Sequence, residues 1–245
     1  MGLRINTNIA AINASRTLRG STTSLNKSLE RLSSGLRINR AADDAAGLAI
    51  AEGFRALVRG AGVAQRNAQD GISLVQTAEG ALSETTNILQ RVRELAVQSS
   101  NGTVSTTNRQ ALQAEVTQLI SQIDDISTDT EFNGIRVLSV NQTVTLQAGA
   151  QASQTLAVVM NGARAADLAV NTLAISNAAM ATSSISTLDL ALRSVSTLRS
   201  KLGAFQNRLE FTINTLAIQE ENSAASESAI RDANIAQETI AFTRN

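Results

Sequence analysis

The chain has no proline, cysteine, histidine, tryptophan or tyrosine. Average proline usage of about 5% would place about a dozen in a chain this long, so their absence permits long uninterrupted helices and removes slow prolyl isomerisation from folding. Without histidine and cysteine there is no imidazole acid/base, no thiol nucleophile and no soft metal ligand, and without tyrosine there is no phenol. Most catalytic chemistry loses its usual groups, so we expect no enzyme, no cofactor and no metal site. The lack of cysteine fits either a cytosolic protein or an exported one that needs no disulfide. The only apolar run near the N-terminus, Ile9 to Ile12, is too short for a signal-peptide core, and nothing later approaches a membrane span.

Charge of a dominant sign is missing too. Twenty-one acidic and twenty-one basic side chains cancel, which argues against nucleic acid or an anionic membrane as partner. All but Lys27 and Lys201 of the basic residues are arginine, whose planar fork suits carboxylate pairs across subunit contacts. What is abundant is apolar residue, at 43% enough for a sizeable core.

That apolar content is periodic. Phe54, Ala61, Ala68, Val75, Leu82, Leu89 and Ala96 share one seven-residue register, with Leu57, Ala64, Ala78 and Val92 three residues behind. A sustained heptad winds helices around one another, and the small residues in its first half let partner backbones approach. The pattern predicts a helix over residues 42–99, roughly 85 Å long at about 1.5 Å per residue. Gly60, Gly62, Gly71 and Gly80 within it each cost about 1 kcal/mol relative to alanine, so tertiary packing has to support it.

On either side of this helix the chain divides. Residues 1–44 carry Ile5, Ile9, Ile12, Leu18, Leu25, Leu29 and Leu32 at helical spacing, followed by a linker in which Asn39, Asp43 and Asp44 are candidate caps. Residues 45–128 make a helical hairpin whose second arm carries Leu112, Val116, Leu119, Ile123 and Ile126 after a stop at Ser99–Thr103. Residues 129–174 change to period two, with Asn-Gly turn signals at Asn133-Gly134 and Asn161-Gly162 and strands expected at RVLSV, TVTLQ and TLAVVM. The helical period returns over 175–220 with Leu188, Val195, Leu198, Leu202, Phe205, Leu209 and Leu216, the partner for the first seam. Its seam turns polar between Gln219 and Ser228, which predicts a joint there, so that 221–245 comprises the joint and the start of a last helix. The seam thus reads Phe54, Val75, Leu82, Leu89 and Val92 against Leu188, Val195, Leu202 and Leu209. The fold class is mainly α: a long antiparallel helical coiled-coil bundle with small β-hairpins.

Sharper signals are few. The adjacent carboxylates Asp43-Asp44 and Asp124-Asp125 point about 100° apart on a helix and do not converge on a metal. No GxGxxG, P-loop, HExxH or CxxC is present. Asn-x-Ser/Thr sequons at Asn13, Asn26, Asn101 and Asn141 are within chance for so polar a chain.

The motifs INTN at Ile5–Asn8, ERLSSGLRINRAADDAAGLAIA at Glu30–Ala51, RNAQDGISLVQTAEGAL at Arg66–Leu82, LQRVRELAVQSSNGT at Leu89–Thr103 and EFNGIRVL at Glu131–Leu138 occur in that order. LGAFQNRLEFTINTL at Leu202–Leu216 and ENSAASESAIRDANIA at Glu221–Ala236 follow. Together they resemble the N- and C-terminal regions of bacterial flagellins, in a core-only form without variable outer domains. The resemblance implies a secreted subunit, exported unfolded through the flagellar type III apparatus, that self-assembles into the extracellular filament and drives motility. It implies a homopolymer, with an export chaperone, a cap and junction proteins as partners. The family usually continues beyond the position of Asn245 with an apolar helix that pairs with residues 1–34, so the expectation is that the sequence is incomplete there, or does not polymerise unaided.

The resemblance also implies a site. Leu89, Gln90, Arg91, Glu94, Leu95 and Glu115 match the flagellin surface that vertebrate Toll-like receptor 5 recognises on the monomer and that neighbouring subunits bury. Leu95, an apolar group beside the seam, is expected to need a second partner. Without the resemblance, exposed arginine and glutamate on a long helix are simply a solvated face. Glu30–Ala51 resembles the peptide sensed by a plant flagellin receptor, although its structural role is to join the first helix to the second. A hook–filament junction protein of the same superfamily is the alternative reading, and a secreted adhesin a weaker one.

Overall fold

The computed structural model describes residues 8–244, so Ile5 and most of the INTN motif lie outside it. Among the described residues, five helices and two small antiparallel strand pairs follow in order. They are α1 (Ile9–Ser34), α2 (Ala45–Ser100), α3 (Thr106–Asp129), β1 (Glu131–Phe132), β2 (Ile135–Arg136), β3 (Gln142–Gln147), β4 (Thr155–Met160), α4 (Ala178–Arg231) and α5 (Ile235–Arg244). The mainly helical architecture expected from the heptads is found. The chain divides into two compact units, one of residues 1–61 and 218–245, the other of residues 62–217.

In the larger unit, ion pairs set the helix directions. Arg93 meets Asp189 at 2.8 Å and Glu79 meets Arg199 at 2.7 Å, so α2 and α4 run antiparallel. Arg91 meets Glu115 at 2.9 Å while Arg109 Nε donates to the Ser99 carbonyl at 2.8 Å, so α3 folds back along α2. One apolar cluster joins these helices: Val75, Leu82, Leu89, Val92 and Leu95 of α2, Val116 and Ile123 of α3, and Leu188, Val195 and Leu202 of α4. Leu209 is fully buried beside Ala68, Ile72 and Leu156 in a second cluster. The period of seven is what brings these residues to one side of each helix.

The strands complete this core. Asn133 and Gly134 both have positive φ, 52° and 77°, the type I′ geometry that an Asn-Gly pair supplies between β1 and β2. In β4 burial alternates strictly, with Leu156, Val158 and Met160 inward and Thr155, Ala157 and Val159 outward. Gly71 of α2 lies beneath this hairpin: a Cβ there would sit 2.3 Å from Leu146 Cδ1 and 3.3 Å from Leu209 Cδ1. The glycine that weakens the helix is the one that lets β3 approach it.

Two expectations fail in this region. RVLSV is a strand only at its first residue; Val137, Leu138 and Ser139 are buried without a ladder, and the Leu138 carbonyl accepts instead from Ala163 N–H and from the Ser127 hydroxyl. The second Asn-Gly makes no hairpin turn, because Gly162 N–H is committed to Asn141 Oδ1 at 2.8 Å; the β3–β4 turn is residues 148–154, closed by Ala148 N–H to the Gln154 carbonyl. Helix α4 runs unbroken through the polar stretch 219–228 to Arg231, and the chain leaves the helix at residues 232–234; the division between the two compact units falls at 217–218, at the start of that stretch.

In the smaller unit, Gly35 at φ 72° closes α1, and Leu36 bridges to Asp232 beside Arg37 N–H donating to the Arg231 carbonyl. Helix α5 packs against α1, with Arg31 and Glu238 paired at 2.9 Å; Leu25 and Leu32 are half-buried and Leu18 is exposed. Arg55 and Arg231 share Glu52 and Glu227 in a four-membered ion network. The three candidate caps take different roles. Asp44 Oδ1 accepts Gly47 N–H at 2.9 Å and starts α2, Asp43 Oδ2 accepts Asn39 and Arg40 N–H, and the Asn39 side chain goes back to Ser34.

Asp43 also receives Lys27 Nζ at 2.8 Å. That contact first, then the Arg40 and Asn39 amides, lowers its pKa from 3.8 to about 2. A folded pKa below the unfolded one means that the stabilisation is complete above pH 3.8 and is lost as pH falls through about 2. Thermal unfolding followed through this window should lose steepness in Asp43→Asn, and added salt should shrink the difference because Lys27 is half exposed. Identical pH profiles would remove Asp43 from the account.

Many helical hydroxyls bond to their own backbone. Thr77, Thr85, Thr86, Thr117, Thr197, Thr212 and Thr215 each donate to the carbonyl four residues earlier.

Candidate functional site

The surface singled out in the sequence is built on two helices. The α2 seam buries Leu89 and Val92, which turns Gln90, Arg91 and Glu94 outward, and the antiparallel return of α3 brings Glu115 alongside. Arg91 is the hub: Nε and Nη2 reach Glu115 Oε1 at 3.2 and 2.9 Å, and Nη1 reaches Glu94 Oε2 at 3.2 Å. Hydrogen bonding to Glu115 first, then to Glu94, raises the guanidinium pKa, so the cation is permanent. Two carboxylates against one guanidinium leave a local negative excess. Pairs this exposed are screened by water and add little to folding; what they do is hold three long side chains in one arrangement.

Leu95 does not belong to this surface. It is 1% exposed and part of the core cluster, so its partners are inside the chain and the reading of it as part of a receptor or inter-subunit contact is corrected. The heptad drifts against the true helical repeat, and with α3 and α4 packed on different sides of α2 the buried arc is wider than a two-helix seam. Phe54, placed in the seam, is only half-buried.

No sequence pattern assigns such a role to the side chains that hold the irregular segment 161–177 against the helices, and Asp124 stands out there only as half of a carboxylate pair. Gln113 of α3 accepts Ile175 N–H at 2.5 Å and donates to the Leu173 carbonyl, Asp124 Oδ1 accepts Ala165 N–H at 2.8 Å, and the Ser99 hydroxyl donates to the Ile175 carbonyl. A faint signal existed. Gln113 and Asp124 are eleven residues apart, three helical turns, and so share a face beside the apolar stripe. Among the described residues no group of three or more acidic side chains is placed to hold a metal ion.

Comparison with known proteins then decides the family. Residues 5–143 match the bacterial flagellin N-terminal helical region, and residues 185–245 match the bacterial flagellin C-terminal helical region. The chain belongs to the bacterial flagellin family. The flagellin of Bacillus subtilis (strain 168) is 45% identical over 278 aligned residues, 99% of this chain and 91% of that one. The flagellar filament 33 kDa core protein of Treponema phagedenis is 42% identical and spans 98% of this chain and 90% of its own. Among solved structures, Bacillus cereus flagellin aligns with a TM-score of 0.54 at 32% identity, over 62% of this chain and 88% of that one. A putative flagellar hook-associated protein from Vibrio parahaemolyticus aligns with a TM-score of 0.65 over 78% of this chain and all of that one, but at 11% identity this is a likeness of fold alone. The residues of this flagellin outside both matched regions, 144–184, hold most of the β3–β4 hairpin and the segment pinned by Gln113 and Asp124.

Proposed function

We infer that this chain is the repeating structural subunit of a bacterial flagellar filament, an extracellular polymer that serves motility. The observation that carries the reading is similarity at both ends of the chain at once, including 42% identity across 98% of it to a protein named as a filament core protein. Exposed Leu190 and Phe211 on α4, at 62% and 73%, suit contact with further copies, since large apolar groups on a helix surface gain from being covered. Filaments sheared from the surface of the source cells should contain this chain as their principal polypeptide by mass spectrometry. Filaments that lack it would sink the reading, and a trace amount confined to the filament base would favour a junction protein instead.

The finer expectations attach to this role. Export as an unfolded chain through the flagellar type III apparatus, with a dedicated chaperone and a cap at the growing tip, is the route proposed for the subunit. For the free monomer, the ridge of Gln90, Arg91, Glu94 and Glu115 is the proposed Toll-like receptor 5 contact. The segment 30–51, released as a peptide, is the proposed plant-receptor ligand. Arg91→Ala should lower stimulation of a Toll-like receptor 5 reporter while leaving circular dichroism and the unfolding midpoint unchanged, because the exposed pairs contribute little to folding. Undiminished reporter potency would place the contact elsewhere.

A further inference from the structure

Three Asn-Gly pairs occur in the chain, and the fold treats them differently. At Asn161-Gly162 the glycine N–H is held by Asn141 Oδ1 at 2.8 Å and Gly162 is buried. Asn133-Gly134 is the type I′ turn of a ladder paired on both sides. Asn101-Gly102 is exposed between α2 and α3; Gly102 N–H makes no hydrogen bond among the described residues, and a Cβ on Gly102 would meet nothing within 4 Å.

The groups around Asn101 are those that an attack by Gly102 nitrogen on the Asn101 side chain requires. Thr103 N–H donates to Asn101 Oδ1 at 3.2 Å, which polarises the amide carbon that would be attacked. Arg109 Nη2 donates to the Asn101 backbone oxygen at 2.9 Å, and Val104 N–H donates to the same atom at 3.2 Å. When the Gly102 amide loses its proton, the negative charge resides largely on that oxygen. A guanidinium aimed at the place where charge develops favours the anion, by the same logic as an oxyanion hole. Arg109 is itself held in place by its second bond, Nε to the Ser99 carbonyl at 2.8 Å.

We propose that Asn101-Gly102 is a self-modifying site that converts to isoaspartate in the folded chain, assisted by Arg109 and the Thr103 amide. The Gly102 proton passes to hydroxide, the nitrogen bonds to Asn101 Cγ, and the side-chain amide nitrogen leaves as ammonia, closing a five-membered succinimide. Water then adds to the former backbone carbonyl and that C–N bond breaks. The main chain now runs through Cβ and Cγ, and the old carbonyl is freed as a carboxylate. The net change is gain of water and loss of ammonia, with no oxidant or co-reactant. The atom that accepted from Arg109 becomes an anion, so a neutral hydrogen bond turns into an ion pair. That pair offsets the penalty of placing negative charge after the C-terminus of α2.

The test is incubation of the native chain at mildly alkaline pH, followed by acidic digestion, mass spectrometry of the three Asn-Gly peptides and enzymatic methyl labelling of isoaspartate. Asn101 should convert several-fold faster than Asn133 and Asn161, and faster than it does itself in urea. Arg109→Gln should slow Asn101 about tenfold, less than the loss seen when a buried oxyanion donor is removed. Arg109→Lys should keep part of the rate. Equal rates at the three sites, slower conversion folded than unfolded, or an unchanged or faster rate in Arg109→Gln would each overturn the proposal.

Discussion

Leu95→Ala should destabilise the chain by about 2–5 kcal/mol, the range for truncating a buried leucine whose surroundings relax only in part. The side chain is 1% exposed and belongs to the cluster that holds α2, α3 and α4 together, so no solvent-facing alternative absorbs the loss. Urea unfolding followed by circular dichroism reads the effect as a lower midpoint. The comparison with Arg91→Ala separates two explanations of any loss in receptor stimulation, since Leu95 acts through folding and Arg91 through the surface. A Leu95→Ala chain with an unchanged midpoint and reduced reporter potency would return Leu95 to the contact surface and refute its place in the core.

The second large effect is expected at Gly71. Alanine gains about 1 kcal/mol over glycine inside a helix, and at Gly80, where a Cβ would meet nothing within 4 Å, Gly80→Ala should stabilise by about that amount. At Gly71 the same methyl would lie 2.3 Å from Leu146 Cδ1 and 3.3 Å from Leu209 Cδ1. Overpacking typically costs about 1–3 kcal/mol, so the sign reverses and Gly71→Ala should be destabilising or at best neutral. Because the closer neighbour is a side-chain tip, Leu146→Ala in the same chain should relieve the clash, leaving a coupling energy in a double-mutant cycle. If Gly71→Ala stabilises as much as Gly80→Ala, the hairpin is not seated on α2 as described.

What could be read in advance follows from the range of the interactions involved. The seam residues Val75, Leu82, Leu89, Val92, Leu188 and Leu202 declare themselves because periodicity is local and repeats many times. The Asn133-Gly134 turn was legible because only such a pair accepts two successive positive φ values cheaply. The same dipeptide at Asn161 misled, since its glycine amide is taken by Asn141, twenty-one residues earlier, a contact no local pattern encodes. Leu95 misled for a related reason. A heptad describes one partner, and α2 has two, so residues beside the seam are buried by the second. The outward residues Gln90, Arg91 and Glu94 followed from the seam itself, whereas the roles of Gln113, Asp124 and Ser99 depend on where an irregular segment settles.

The threonines that return their hydroxyls to the helix backbone bear on what this surface costs to cover. A hydroxyl already bonded to a carbonyl four residues back has exchanged one of its waters for an internal partner, so excluding the remaining solvent leaves no donor stranded. Thr197, Thr212 and Thr215 therefore lend α4 a face that stays wet in the free chain, yet surrenders its hydration at little expense once another molecule lies against it.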